Sequence, residues 1–291
     1  MNEKTRGLIQ RLTLTPYSVW AALFIVVPLI FVAYYAFTDA SFRFTTENVT
    51  RFFTATSVVD DGEAVREVHT YLLIFMRSLK LAVISTLICL LMGYPIAYIM
   101  ARAKARTQKI MVTLIMIPMW MNFLIRTYAW MTILQDTGIF NGLLSALGLG
   151  TVHIIGTEAA VVIGMVYDYL PFMILPVYNA VTDLKDDVIE AARDLGAPPK
   201  AVLTRIMIPL TKPGIISGIT MVFVPSLTAF AIPDILGGGK VMLIGNIIEQ
   251  EFSTSMNWHL GSGLSIALMI FVLISMIFTS NEEEGKERRA W

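Results

Sequence analysis

Apolar residues are concentrated in six long runs, and shorter segments between the runs hold most of the charged side chains. Four runs contain no Asp, Glu, Lys or Arg, whereas the third contains Arg126 and the fourth contains Asp168. Each run has the roughly 20 residues that an α-helix needs to cross the hydrocarbon core of a bilayer. The pattern therefore predicts an all-α integral membrane protein with six transmembrane helices, at residues 17–37, 81–101, 110–135, 159–181, 213–233 and 260–280.

The composition agrees with this class and argues against others. The chain of 291 residues is 56% hydrophobic, and its 15% of charged residues is well below the roughly 25% of soluble domains. A net charge of zero gives no reason to expect a nucleic-acid partner. The single cysteine, Cys89, cannot form an intrachain disulfide, and the three histidines are too scattered for metal-ligand spacing. We therefore expect no metal site in this chain.

The Lys and Arg residues of the connecting segments predict the orientation of the spans. If the N-terminus is cytoplasmic, the inward segments hold fifteen of these residues and the outward segments hold four. Cytoplasmic loops carry an excess of Lys and Arg, so both termini and the segment after the fourth span are predicted to be cytoplasmic. The segments Asp39–Glu67 and Gly237–Trp258 then face outward. Gly138–Gly150, also outward, is either a short amphipathic helix at the membrane surface or a plain loop.

The cytoplasmic segment 182–212 has the pattern of a helix, a glycine and a second helix. One apolar stripe at helical spacing is formed by Val188, Ala191, Ala192 and Leu195. Gly196 follows where helices commonly end in a left-handed residue. Pro198 or Pro199 can begin the next helix, which is expected over Ala201–Ile208 and is ended by Pro209. An ordinary surface loop with capped helices would explain Gly196, the prolines and the apolar stripe. It would not require the spaced motif that the same segment contains.

The same segment carries a spaced motif. Three residues separate Glu190-Ala191-Ala192 from Gly196, and nine more separate Gly196 from Ile206. One residue, an aliphatic residue and Pro209 follow Ile206. This spacing resembles the coupling loop of the membrane subunits of binding-protein-dependent ABC importers, which usually have Leu where Ile208 stands here. The resemblance implies that the whole chain, residues 1–291, is one transmembrane domain of the type I importer fold. It also implies that the motif residues couple the chain to an ATPase, namely Glu190, Ala191, Ala192, Gly196, Ile206 and Pro209.

The chain has no nucleotide-binding motif of its own. A P-loop requires G-x-x-x-x-G-K-[ST], but Val241 follows Gly239-Lys240, and Asp234 stands where the first glycine is required. We therefore expect a transport subunit that is not an enzyme and binds no cofactor, with ATP and magnesium held by a partner. The resemblance implies a bacterial cytoplasmic membrane protein that works with a second permease subunit, two ATPase subunits and an extracytoplasmic binding protein.

Three runs, Ile117–Tyr128, Glu190–Gly196 and Gly237–Asn246, resemble the permeases of spermidine/putrescine importers. This resemblance implies a polyamine-binding protein as partner and a cationic substrate. Asp168 lies in mid-span, where a charge is a functional candidate by default, and its aromatic neighbours could bind an ammonium group. Asp168 could equally pair with Arg126, the other intramembrane charge. The candidate substrate-path residues are Asp168, Tyr167, Tyr169, Asp234 and Trp120.

Other functions remain open from the sequence alone. An ABC importer of another small solute, such as an iron complex, a phosphonate or an opine, would carry the same coupling segment. An ion-coupled secondary transporter would need no external motor, and its expected inverted repeat is not detected. A structural membrane scaffold would not need a glycine-hinged helix pair in the cytoplasm.

Overall fold

The computed structural model describes residues 15–60 and 65–287. This part of the chain is helical apart from one antiparallel hairpin, β1 (Thr56–Asp60) with β2 (Val65–His69), which pairs Thr56 with His69. The helices are α1 Thr15–Ala36, α2 Glu47–Thr54, α3 Thr70–Ala101, α4 Ala105–Trp120, α5 Phe123–Leu134, α6 Ile139–Ala146, α7 Glu158–Thr182, α8 Asp186–Asp194, α9 Pro199–Leu210, α10 Lys212–Thr228, α11 Ala231–Leu236, α12 Ile244–Ser253 and α13 Trp258–Glu287. The predicted all-α class is confirmed, and the hairpin in the predicted outward segment was not anticipated.

Four helices of the described chain, α1, α3, α7 and α13, are each long and apolar enough to cross a bilayer. Two more candidates are helix pairs bent at a short break: α4 with Phe123–Ala146, at 94°, and α9 with α10, at 69°. The number of crossings reaches six only if each bent pair counts as one. The six-span prediction therefore holds in number on this count, but the third and fifth spans are not single straight helices. The terminal segments 1–14 and 288–291, whose cytoplasmic location was predicted, lie outside the described residues.

The predicted third span, Ile110–Gln135, is wrong as one helix because the chain breaks at Met121 and Asn122. Met121 has an extended backbone, and the side chain of Asn122 accepts hydrogen bonds from the backbone N–H groups of Leu124 (2.9 Å) and Ile125 (3.3 Å). Asparagine is among the residues most favoured at a helix N-cap, because its side chain satisfies N–H groups that have no partner in the helix. A helix start therefore lies inside the apolar run.

The predicted fifth span, Pro213–Pro233, is interrupted in a similar way. Helix α10 ends at Thr228, Ala229 is extended, and α11 begins after Phe230. In a continuous helix, Pro233 would lack the N–H needed by the carbonyl of Ala229, and its ring would clash there. The break places Pro233 in the first turn of a new helix, where proline is tolerated.

The chain divides into two compact units, each described here by itself. The first comprises residues up to Leu72 together with Ile247–Phe271. In it, the buried side chain of Asn48 donates to the carbonyls of Ala36 (3.2 Å) and Thr38 (2.8 Å). The loop after α1 is closed by Asp39, whose carboxylate accepts from the N–H groups of Ser41 and Arg43. The bond from Arg43 lowers the pKa of the Asp39 carboxyl from its usual value.

The second unit, Leu73–Asn246 with residues from Val272 onward, contains the packing of α7 against α10. Two glycines on α10 make this approach possible, because an added Cβ at Gly214 would lie 2.6 Å from the carbonyl oxygen of Pro176. An added Cβ at Gly218 would lie 2.7 Å from Met173 Sδ. Small residues spaced by four are a common means of close helix packing in membranes. The core around this contact contains Cys89, Met100, Met173, Val177, Met207 and Val222.

We predict that Gly214→Ala lowers the thermal-unfolding midpoint of the detergent-purified chain, because the new methyl group meets backbone atoms of α7 that cannot move away. Overpacking of this kind costs about 1–3 kcal/mol. The matched control is Gly142→Ala in α6, where an added Cβ meets nothing within 4 Å and the midpoint should stay or rise slightly. Equal midpoints for the two variants would contradict the close packing of α7 and α10.

Candidate functional site

The turn between α8 and α9 has the geometry that the sequence predicted. Gly196 has φ +81°, and its N–H donates to the carbonyl of Arg193 (2.8 Å). The N–H of Ala197 donates to the carbonyl of Ala192 (3.0 Å). This pair of bonds is the Schellman ending of a helix. An added Cβ at Gly196 would meet nothing within 4 Å, so the backbone conformation, and not a close contact within this chain, requires glycine there.

Helix α8 has two apolar faces, and this differs from the single stripe predicted. Ile189 is buried, and Ala192 packs with it against the core formed by α3, α7 and α9. Ala192 therefore packs against its own chain, which corrects the prediction that it shares one stripe with Val188, Ala191 and Leu195. The opposite face remains exposed, with Leu195 89% and Val188 43% accessible and Ala191 beside them. The structure thus presents an apolar face, Val188–Ala191–Leu195, outside the spans, with the exposed carboxylate of Glu190 in the same helix.

Helix α9 continues the segment back to the spans. It is longer than predicted, Pro199–Leu210, so the prediction that Pro209 ends it is wrong. Its turns widen to π-helical geometry over Val202–Met207. Ile206 is half-buried and Pro209 is exposed on this helix. The bend into α10 occurs at Thr211, whose buried hydroxyl donates to the carbonyl of Met207 (2.8 Å). Pro213 lies in the first turn of α10, where the fifth span was predicted to begin.

The two intramembrane charges form a buried ion pair. Arg126 Nη2 of α5 lies 3.0 Å from Asp168 Oδ1 of α7, and both side chains are more than nine-tenths buried. Arg126 Nη1 also donates to the carbonyl of Pro118 in α4 (2.8 Å). One guanidinium therefore joins three helices across the break at Met121 and Asn122. Of the two readings of Asp168, the pair with Arg126 is the arrangement that the structure contains.

Aromatic side chains surround this pair on one side. The Tyr167 ring lies 6.0 Å from the guanidinium carbon of Arg126, and Trp130 packs edge-on against Tyr167 with centroids 5.1 Å apart. Nε of Arg126 is buried and has no hydrogen-bond partner among the described residues. The pair is thus held in an apolar and aromatic surrounding that leaves its hydrogen-bonding capacity only partly used.

A cleft of about 200 Å³ lies at the break between α10 and α11. The Tyr169 hydroxyl points to the carbonyl of Pro225 at its wall (3.5 Å). The break is fixed by Asn246, whose amide donates to the carbonyl of Phe230 (2.7 Å). The cleft is lined by Phe123, Tyr169, Pro225, Thr228, Ala229, Phe230, Ala231 and Ile232. Three aromatic rings and the C-terminal end of a half-helix therefore meet at one place.

The structure separates the five predicted path residues. Tyr167 and Asp168 belong to the ion-pair group, and Tyr169 lines the cleft. Trp120 is 78% exposed at the end of α4, and Asp234 is exposed in the first turn of α11. The sequence did not identify Phe123, Phe230 or Asn246. Pro233, four residues after Ala229, was the signal that could have located the break.

No three His, Cys, Asp or Glu side chains within residues 15–60 and 65–287 are grouped so that they could hold a metal ion.

Helix α6, Ile139–Ala146, is present in the segment where the sequence allowed either a short helix or a plain loop. Its buried residue Asn141 fixes the following loop by accepting from the N–H of Val152 (2.8 Å) and donating to its carbonyl (3.0 Å).

Comparison with known proteins identifies relatives for most of the chain. Residues 93–281 match the family described as binding-protein-dependent transport system inner membrane component. The spermidine/putrescine transport system permease protein PotB of Haemophilus influenzae is 37% identical over 283 residues, which cover 94% of each chain. PotB of Escherichia coli is 36% identical over 266 residues, covering 89% of this chain and 92% of that protein.

Solved structures with the same fold include a bacterial alginate ABC transporter in complex with an alginate pentasaccharide-bound periplasmic protein. One of its chains is similar to this chain with a TM-score of 0.74 and 17% identity, covering 95% of this chain and 94% of that chain. A second structure of a bacterial ABC transporter that imports alginate gives a TM-score of 0.72 over 97% of each chain, also at 17% identity. At this identity the similarity shows the fold, and it agrees with the predicted type I importer architecture.

The ion pair predicts a strong coupling between its two members. Asp168→Asn or Arg126→Gln alone should lower the thermal-unfolding midpoint, because removing one partner of a buried pair costs about 3–5 kcal/mol. The double variant should recover part of this loss, since it leaves neither charge buried alone. The measurement is a double-mutant cycle of unfolding midpoints in detergent. Additive losses would show that the two side chains do not stabilise each other.

Proposed function

The chain belongs to the family of binding-protein-dependent transport system inner membrane components, and from this premise we propose that it is a permease subunit of an ATP-driven polyamine importer. It is a transport subunit and not itself an enzyme. The observation that carries the proposal is the exposed apolar face Val188–Ala191–Leu195 on a short helix outside the spans. Spermidine and putrescine are proposed as substrates because the PotB relatives that cover most of the chain are named for them.

The exposed face of α8 fits docking by a separate ATPase. Exposed apolar surface on a soluble segment is unfavourable in water and marks an interaction site when its residues are contiguous. The other face of α8, Ile189 and Ala192, is fixed in the core of the same chain. A force on the outer face is therefore passed directly into α3, α7 and α9. Glu190 can pair with a basic side chain of the partner, and the partner supplies the nucleotide site that this sequence lacks.

The cleft at the α10–α11 break is the proposed contact with substrate. Aromatic faces attract alkylammonium groups, and Phe123, Tyr169 and Phe230 provide three of them. The C-terminal end of a helix carries partial negative charge, and α10 ends at the cleft with Thr228. Broken helices of this kind form ion and substrate sites in other transporters. Asp168 is neutralised by Arg126, so the rings and carbonyl groups, and not a free carboxylate, bind the cation.

Transport would follow from a shift between two arrangements of the same helices. A loaded polyamine-binding protein docks on the outward segments, and ATP binding closes the two ATPase subunits against α8 and its counterpart in a second permease. Nucleotide can shift this equilibrium only through contacts that differ between the two states. The termini and α8 are cytoplasmic in this arrangement, in accord with the excess of Lys and Arg on that side.

Uptake in proteoliposomes tests the proposal. The chain is reconstituted with a second permease, ATPase subunits and a polyamine-binding protein, and radiolabelled spermidine is followed. Uptake should require both ATP on the α8 side and the binding protein. Uptake by this chain alone, driven by an ion gradient, would identify a secondary transporter. Uptake of an iron complex, phosphonate or opine without uptake of spermidine would refute the polyamine assignment.

Gly196 provides matched variants for the same assay. Gly196→Val should insert normally but lose ATP-driven uptake, because a β-branched residue in the left-handed conformation is strained by about 1–3 kcal/mol and would reshape the end of α8. Gly196→Asn should retain most of the uptake, because asparagine tolerates this conformation.

A further inference from the structure

A second cavity lies beside the coupling segment, about 300 Å³ in volume. This is near the lower end of the range of ligand-binding cavities, about 300–1,000 Å³. It is separate from the cleft at the α10–α11 break and shares no lining residue with it. Three elements form its walls, namely α3 with Tyr94, Pro95 and Tyr98, α8 with Arg193, and α9 with Pro199, Val202, Leu203 and Met207.

Two irregularities keep this cavity open. Pro95 lies inside α3, and a proline within a helix kinks it and prevents straight packing. The wide π turns of α9 supply Val202, Leu203 and Met207 to the opposite wall. Such turns are rare and occur frequently at functional sites. Two walls of the cavity are therefore built on irregular helical backbone.

The charge at the cavity has one sign. Among the residues that the structure describes, Arg193 is the only charged one that lines it. The guanidinium carbon of Arg102 lies 6.0 Å from the centre of the Tyr98 ring. The acidic side chains of the same helix, Asp187, Glu190 and Asp194, do not line it. The remaining walls are apolar or aromatic. A cation is disfavoured by Arg193, and a small hydrophilic anion would leave most of the walls without a partner.

The depth of the cavity matches the boundary between lipid headgroups and acyl chains. Tyr94 and Tyr98 lie in the last two turns of α3, within about 10 Å of its end at Ala101 at 1.5 Å per residue. Tyrosine is enriched at this level of a membrane protein. The segment that follows contains Arg102, Lys104, Arg106 and Lys109, and basic pockets between transmembrane helices on the cytoplasmic side bind anionic lipid headgroups.

We propose that this cavity binds one anionic phospholipid of the inner leaflet. Arg193 pairs with the phosphate, and the apolar walls of α3 and α9 contact the glycerol and the first part of an acyl chain. The bound lipid contacts α3, α8 and α9 together, so lipid composition acts on the position of the coupling helix. This site is independent of which solute the protein carries, because the proposal uses no residue of the substrate cleft.

Lipid binding by the full-length purified chain tests the proposal. Phosphatidylglycerol and phosphatidylcholine are titrated in detergent, and bound lipid is counted by native mass spectrometry. The wild type should hold one phosphatidylglycerol more tightly than phosphatidylcholine. Arg193→Gln should weaken phosphatidylglycerol binding about fivefold, the effect of one cation near a membrane surface. The matched control, Arg205→Gln, removes an exposed cation of α9 that does not line the cavity and should leave binding unchanged.

A second pair of variants keeps the test decisive if Arg193→Gln fails to fold. Leu203→Trp fills the cavity and should abolish tight binding, whereas Leu210→Trp, on the same helix but outside the cavity, should not. Unchanged binding in Leu203→Trp, or equal binding of the two lipids by the wild type, would overturn the proposal. Displacement of the lipid by millimolar inorganic phosphate would assign the site to free phosphate. Failure of polyamine uptake would leave these outcomes unaffected.

Discussion

A backbone break inside an apolar span must have its polar groups satisfied by the protein, because the bilayer core offers no water to do so. This constraint determines how the two broken regions are built. At the first break, Asn122 caps the start of α5. Arg126 joins α5 to α4 by donating to the carbonyl of Pro118. At the second, the amide of Asn246 holds the carbonyl of Phe230. Ser78 supports the same region by accepting from the N–H of Ile244, 2.8 Å away. Burying the charge of Arg126 costs desolvation free energy, and the attraction to the buried carboxylate of Asp168 offsets that cost.

The satisfied breaks connect the cleft to the coupling segment. Helix α7 carries Tyr169 and ends at Thr182, and three residues separate it from the start of α8. Helix α10 begins one residue after α9, beyond Thr211, and carries Pro225 and Thr228 at the cleft. The two helices are packed through Gly214 and Gly218 too closely for independent movement. Because packed interiors change between discrete arrangements and do not deform continuously, a displacement of α8 and α9 is expected to alter the cleft walls. The cavity proposed to bind a lipid is lined by residues of α8 and α9 as well as α3.

The unbroken spans were predictable from sequence, and the broken ones only in part. Apolar runs of membrane length located α1, α3, α7 and α13, and Gly196 marked the end of α8 because left-handed geometry favours glycine. Asn122 and Pro233 are local signals of the breaks, but both lie inside apolar runs long enough to predict an unbroken helix. The sequence grouped Ala192 with Val188 and Leu195 on one stripe, because a nine-residue amphipathic helix does not reveal which apolar side chains pack against the core of its own chain. Ile189 and Ala192 do so here. The sequence suggested two roles for Asp168, contact with substrate and pairing with Arg126, and did not decide between them. The cleft around Phe123 and Phe230 could not be predicted, because it joins residues more than a hundred positions apart.

We propose that the exposed face of α8, Val188–Ala191–Leu195, is the docking surface of a separate ATPase. Maleimide labelling of Leu195→Cys tests it most directly, because the native Cys89 is fully buried and should react little. The substituted cysteine should react rapidly in the isolated chain and be protected when the ATPase is bound. A cysteine at the exposed position Leu147 should react equally in both states. Undiminished labelling of Leu195→Cys in an assembled complex that hydrolyses ATP would contradict the account.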